Sequence, residues 1–125
     1  MTKKNITPID VLIGIAYHLP KGQRSYLHNS ERFFRFFYEQ RDKYPKLLGE
    51  LRFDCDGLWP VSPDLEGALD TLFTARMLSY NTAQPTRNLF DEGACECYFE
   101  RILSTLPRQT RNEMSVLSDE FRRYM

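Results

Sequence analysis

Apolar residues fall at helical spacing in five stretches of the chain and alternate at strand spacing in three. In the first stretch, Thr7-Pro8-Ile9-Asp10 supplies an N-cap, a proline at the first helical position and an acid in the first turn, so a helix starts there. Ile9, Leu12, Ile13, Ala16 and Leu19 make one apolar stripe, and Val11 and Ile15 a second, leaving Asp10, Gly14 and His18 as a polar seam. A helix so apolar belongs at the centre of the core or under another chain. Residues 20–29 are polar and turn-rich and read as a loop. Ser30 and Glu31 then cap a second helix in which Phe33, Phe36, Phe37 and Tyr44 share a face, with Phe34 and Tyr38 beside them. These aromatics span roughly 200° of the helix, wider than the ~100° that one packing surface requires. Phe34 and Tyr38 are therefore candidates for contact with a partner, against the alternative that all six simply fill the core.

Pro45 interrupts this helix. Leu51-Arg52-Phe53-Asp54-Cys55 alternates and reads as a short strand, followed by a turn at 56–63. Ser62 as N-cap and Pro63 at the first position open a third helix, with Leu65, Ala68, Leu69, Leu72 and Phe73 inward and Glu66, Asp70 and Thr74 outward. Met77-Leu78-Ser79-Tyr80 and Arg87-Asn88-Leu89-Phe90 read as paired strands joined by a loop at 81–85. A helix over about 92–106 places Cys95, Phe99, Ile102, Leu103 and Leu106 inward and ends at Pro107. The last helix runs from about Thr110, with Met114, Leu117, Phe121, Tyr124 and Met125 on a narrow stripe.

This order predicts a mostly α fold with a small β-wing, a winged-helix-like single domain over residues 1–125 with additional N- and C-terminal helices. Within it, the stretch from Phe53-Asp54-Cys55-Asp56-Gly57-Leu58-Trp59-Pro60-Val61-Ser62-Pro63 to Leu72, with the wing strands to residue 90, resembles the Panacea-type antitoxin domain and related small bacterial winged-helix modules. In that family a Gly-Pro-Tyr-Ser turn leads into a Leu-x-x-x-Leu-x-x-Leu helix and a leucine-containing wing strand. Gly57 and Ser62-Pro63 are present here, whereas Trp59-Pro60-Val61 departs from the tighter turn and Ala75-Arg76-Met77 replaces the small helix-ending glycine. The resemblance implies a regulatory or neutralising module that works through protein contacts.

Charge sharpens the choice of partner. Seventeen basic and seventeen acidic side chains cancel, which removes a global excess of Lys and Arg as an argument for nucleic acid. Residues 1–62 nonetheless carry 10 Lys and Arg against 7 Asp and Glu, and residues 63–125 carry 7 against 10. In a DNA-reading winged helix, the helix before the wing enters the major groove. Here that helix shows Asp64, Glu66 and Asp70, and carboxylates facing phosphates oppose binding. Glu66 and Asp70 therefore join Phe34 and Tyr38 as partner-binding candidates. The alternative, a DNA-binding transcriptional regulator, rests on Arg24, Arg32, Arg35 and the wing residue Arg87; basic residues among aromatics also suit single-stranded nucleic acid.

Catalytic patterns are missing: no glycine-rich phosphate loop, no Gly-x-Ser-x-Gly elbow, no zinc helix. On a helix Cys95 and Cys97 point about 160° apart, so with Cys55 they suit small buried hydrophobes better than a zinc site. Asp54 and Asp56 would share a strand face fit for Mg²⁺, but Asp56-Gly57 is first a turn signal. His18 and His28 lack a partner acid or nucleophile in the sequence. No metal and no cofactor are expected; a small metal-dependent enzyme is the remaining alternative. No stretch reaches the ~18 apolar residues of a membrane span. Ile9 to Leu19 after Lys3 and Lys4 looks like a secretory leader but lacks a small-residue cleavage site, and three cysteines suit a reducing cytoplasm. The expectation is a cytoplasmic, non-enzymatic regulatory or protein-interaction module, forming a homodimer through its first and last helices and binding a protein partner.

Overall fold

The computed structural model describes residues 5–81 and 87–125, so the loop expected at 81–85 lies, beyond Asn81, outside the described residues. Helix α1 (Pro8–His18) opens on a capping box: the Thr7 hydroxyl accepts from the Asp10 amide at 3.2 Å, and the Asp10 carboxylate accepts from the Thr7 amide at 2.9 Å. Strand β1 (Ser25–Leu27), helix α2 (Ser30–Gln40) and the short helix α3 (Pro45–Leu48) follow. Helix α4 (Pro63–Thr74), the wing strands β2 (Leu78–Asn81) and β3 (Arg87–Phe90), helix α5 (Glu92–Arg101), a 3₁₀ turn (Leu103–Thr105) and helix α6 (Arg108–Tyr124) complete the chain. The architecture is mostly α with a small β-wing, in the order and with the β1-β3-β2 antiparallel sheet of a winged helix.

Two strand expectations change. The third strand is β1, inside the stretch read as loop, where Ser25 pairs with Leu89 and Leu27 with Arg87. Residues 51–55 form no strand; Asp54 makes an isolated bridge to Val61, because no neighbouring strand lies beside the segment to complete a ladder. Helix boundaries also shift: α2 ends at Gln40, before the Tyr44 read as part of its face, and Pro45 opens the separate helix α3. The α2 N-cap is Asn29, whose side chain accepts from the Arg32 amide at 3.1 Å. Helix α5 ends at Arg101, and α6 begins at Arg108.

Helix α1 lies among α4, α5 and α6. Asp10 through Ala16 are all buried, so the middle of α1 lies at the centre of the core, while Pro8, Ile9, Tyr17 and His18 towards its ends are half-buried. Its contact with α6 is close: the Ser118 hydroxyl donates to the Ile15 carbonyl at 2.7 Å, and a Cβ on Gly14 would stand 2.7 Å from Met114 Sδ. Beside it, Phe33, Phe36 and Phe37 of α2 are fully buried against Phe121 of α6 and Tyr26 of β1, with ring centroids 5.1–6.3 Å apart. Five of the six aromatics of the arc, all but Tyr38, are thus core, as a small domain filling its interior with aromatic rings requires.

The end of α4 sets the angle at which the wing leaves. The Met77 amide donates to the Leu72 carbonyl at 2.9 Å and the Arg76 amide to Phe73 at 3.1 Å, a Schellman motif. Its left-handed position, φ 62°, is held by Arg76 where glycine is preferred. Removing that Cβ strain predicts a gain: Arg76→Gly should stabilise the fold by about 1 kcal/mol, raising the thermal midpoint by roughly 3–5 °C. An unchanged or lowered midpoint would show that the arginine side chain offsets the strain.

Candidate binding cleft

The inward face of the wing sheet carries Leu78 and Tyr80 of β2, Asn88 and Phe90 of β3 and Tyr26 of β1; Tyr26, Asn88 and Tyr80 form one cross-strand row. Asn88 therefore occupies the middle of a row in which every neighbour is aromatic, and only 2% of its surface is exposed. Its Nδ2 donates to the Tyr26 hydroxyl at 2.9 Å, while its Oδ1 is buried without a partner. Burial pushes the Tyr26 hydroxyl up to about 12, against the opposing pull of the Asn88 hydrogen bond, so it stays neutral.

In front of Asn88 lies a cleft of about 380 Å³ between α2, α4 and the wing. Helix α4 is fixed at its start by Ser62, whose hydroxyl accepts from the Leu65 amide at 3.2 Å, and by Arg52, which grips Asp64 through side chain and backbone at 2.7–3.3 Å. That double grip holds the Asp64 carboxyl below its ordinary range and leaves it unavailable as a free charge. Glu66 and Asp70, one turn apart on the cleft rim, are exposed, and neither forms an ion pair among the described residues. Phe73 stacks on Tyr80 with centroids 4.4 Å apart, Trp59 and Phe34 line the walls, and Leu69 is part of the apolar lining.

Seven side-chain nitrogen or oxygen atoms among the described residues are buried without a hydrogen-bond partner, and three belong to residues of this cleft: His28 Nδ1, Trp59 Nε1 and Asn88 Oδ1. A buried polar atom without a partner costs about 1–3 kcal/mol, and three of the seven belong to side chains that line this one concavity. Burial also holds the His28 imidazole below its usual pKa of 6.5. A depressed folded value means that the unfolded chain takes up the proton first as pH falls, so the stability His28 confers is present above about 6.5 and is lost below it. Wild type should accordingly lose thermal stability between about pH 7 and 5 more steeply than His28→Gln does; the same acid limb in both proteins would remove His28 as its source.

The structure sorts the other expected residues. Glu66 and Asp70 stand where the sequence puts them. Phe34 does not: it is 6% exposed, part of the core cluster and a wall of the cleft, with its ring against Phe33. Tyr38 is exposed but lies outside the cleft, edge-on to Phe53 at 5.2 Å with the Arg41 guanidinium 4.9 Å above its ring. The four arginines of the nucleic-acid alternative all have internal partners. Arg24 is 8% exposed and binds Glu96 and the Tyr17 carbonyl, each at 3.0 Å. Arg32 donates to the Tyr124 carbonyl and lies over its ring, Arg35 pairs with Glu31, and Arg87 donates to the Ser25 hydroxyl.

His28, Trp59 and Asn88 were not marked as functional by sequence reasoning. The available signals were a single tryptophan in a turn and an asparagine at the same strand parity as Phe90.

Metal chemistry finds little to work with here. Cys95 is buried, its thiol pushed up to about 11 by burial, while Cys55 and Cys97 are exposed. Asp54 Oδ1 accepts from the Asp56 amide at 2.9 Å, an Asx turn, and His18 Nδ1 bonds the Gly14 carbonyl at 2.7 Å. Among the described residues no three His, Cys, Asp or Glu side chains gather as a metal site, and no helix is long and apolar enough to cross a membrane. No family model matches the chain, and no curated protein or solved structure is significantly similar to it.

Proposed function

We propose that this protein is a non-enzymatic, cytoplasmic winged-helix module that receives a positively charged segment of a protein partner on its α4–wing face. The observation that carries the reading is the pair Glu66 and Asp70, unneutralised on the helix that a DNA-reading winged helix presents to phosphates, beside an aromatic cleft with unpartnered polar atoms. Electrostatic complementarity of this kind selects partners and speeds encounter. The resemblance of residues 53–90 to the Panacea-type antitoxin domain supports a neutralising role, with an effector protein as the partner. Exposed thiols at Cys55 and Cys97 suit a reducing compartment.

Binding to arrayed short peptides of graded charge tests the reading. Basic peptides should be retained at ~50 mM salt and released at several hundred millimolar, duplex DNA should not be bound at ~50 mM, and Glu66→Gln with Asp70→Asn should weaken retention at least about tenfold. Duplex binding without peptide retention would overturn it.

A further inference from the structure

Strand β1 is an edge of the sheet. The Phe90 amide donates to the Arg24 carbonyl at 2.9 Å, which fixes the phase of the ladder: with Ser25 opposite Leu89 and Leu27 opposite Arg87, the main-chain groups of Ser25 and Leu27 point away from β3. The Ser25 amide turns back to the Gln23 carbonyl at 2.9 Å. The Ser25 carbonyl and the amide and carbonyl of Leu27 have no hydrogen-bond partner among the described residues. An open edge of this kind is a template for another strand.

All of β1 lines a groove of about 370 Å³ that it shares with the end of α6. Leu19, Tyr26 and Phe121 supply its buried apolar lining, and Leu27, 37% exposed, its rim. Its charged side chains are Arg87 and Arg122, and no Asp or Glu lines it. Arg122 is exposed, and its side chain has no partner among the described residues. Arg87 gives one donor to the Ser25 hydroxyl at 2.9 Å, and a guanidinium has five. The acids of α5 next to this loop are committed elsewhere: Glu92 accepts from the Gly22 amide, and Glu96 pairs with Lys21 and Arg24. The groove thus joins an open strand edge to two guanidinium groups without a carboxylate side chain between them. A phosphodiester backbone offers acceptors only and would leave both carbonyls of that edge unanswered, whereas a peptide backbone brings donors and acceptors together.

We propose that an extended acidic segment of a partner protein adds antiparallel to β1 as a further strand, its main chain bonded to Ser25 and Leu27 and its carboxylates paired with Arg87 and Arg122. Residues opposite one another across a strand pair share a face, so the partner residues facing Ser25 and Leu27 project on the side of Arg87. Those between them project on the side of Tyr26 and Phe121. A sequence alternating acidic and apolar residues fits both sides. The groove shares no lining residue with the α4–wing cleft, so this surface stands or falls independently of the function proposed above.

The probes are fluorescein-labelled Glu-Val-Glu-Val-Glu-amide, its lysine counterpart, and the acidic peptide N-methylated at its glutamates, followed by fluorescence anisotropy at ~50 mM salt. The acidic peptide should bind saturably, with the other two at least about tenfold weaker. Leu27→Pro removes the outward amide and leaves the ladder to β3 in place, as an edge position allows, and should weaken binding at least about fivefold. Arg122→Gln should do the same at an unchanged melting temperature, and it keeps the test decisive where the proline variant does not fold. Equal binding of the acidic and lysine peptides, undiminished binding of the N-methylated peptide, no effect of Arg122→Gln, or no saturation up to ~5 mM would each overturn the proposal. So would displacement of the peptide by a single-stranded oligonucleotide, or a dimer in sedimentation that Leu27→Pro dissociates, which would give the edge to a second copy of this chain.

Discussion

Phe34→Ala is expected to lower the folding free energy by about 3 kcal/mol and the thermal midpoint by about 10 °C. The wide aromatic arc of α2 marks this residue as a surface contact, and a surface contact would leave stability almost untouched. The structure places it in the core cluster, 5.5 Å ring to ring from Phe33 and forming a wall of the cleft. Truncation opens the wall as well as removing buried apolar surface, so stability and peptide binding should fall together. A loss under about 1 kcal/mol, measured by urea unfolding, would return Phe34 to the surface.

Asp10→Ala is expected to cost a similar amount, about 3 kcal/mol, through two separate losses. The first is the reciprocal cap with Thr7 at the start of the central helix. The second is the bond from the Tyr98 hydroxyl to Asp10 Oδ1 at 2.6 Å, which ties α5 to α1 and adds to the burial that chiefly raises the tyrosine's pKa. Asp10 is fully buried and Tyr98 half-buried, so substitution also leaves the tyrosine hydroxyl without its acceptor. Combining Asp10→Ala with Tyr98→Phe separates the two: the double variant should be less destabilised than the sum of the singles, and strict additivity would show that the 2.6 Å contact contributes nothing.

Asp10 also illustrates what a sequence exposes. Its cap to Thr7 lies within one turn and is legible, as are the cap of Ser62 with Pro63 and the wing strands, because each depends on neighbours in the chain. Its bond to Tyr98 spans 88 positions and follows from packing alone. Strand β1 was hidden for the same reason: three residues carry no measurable alternation, and Ser25–Leu27 is a strand only because β3 runs beside it. Residues 51–55 alternate well and still form no strand for want of a neighbour. The cleft divides likewise. Glu66 and Asp70 could be placed from the apolar stripe of their own helix, whereas His28, Trp59 and Asn88 converge from three separate segments. Phe34 was misplaced because a helix wheel counts one packing surface, and α2 has more than one.

The acidic face of α4 and the internal commitments of Arg24, Arg32, Arg35 and Arg87 bear on the same question from opposite sides. The helix before the wing exposes Glu66 and Asp70, and each of the four arginines makes a contact within the chain.

The most direct measurement is a nitrogen-15 edited spectrum of the labelled protein titrated with a short arginine-bearing peptide and, separately, with duplex DNA. With the peptide, the Trp59 indole N–H and the Asn88 side-chain amide should shift together and saturate, accompanied by backbone shifts around Glu66, Asp70 and Tyr80, while DNA leaves all of them in place. Fixed Trp59 and Asn88 resonances in the presence of bound peptide, or shifts of α4 produced by the duplex, would contradict a cation-receiving cleft.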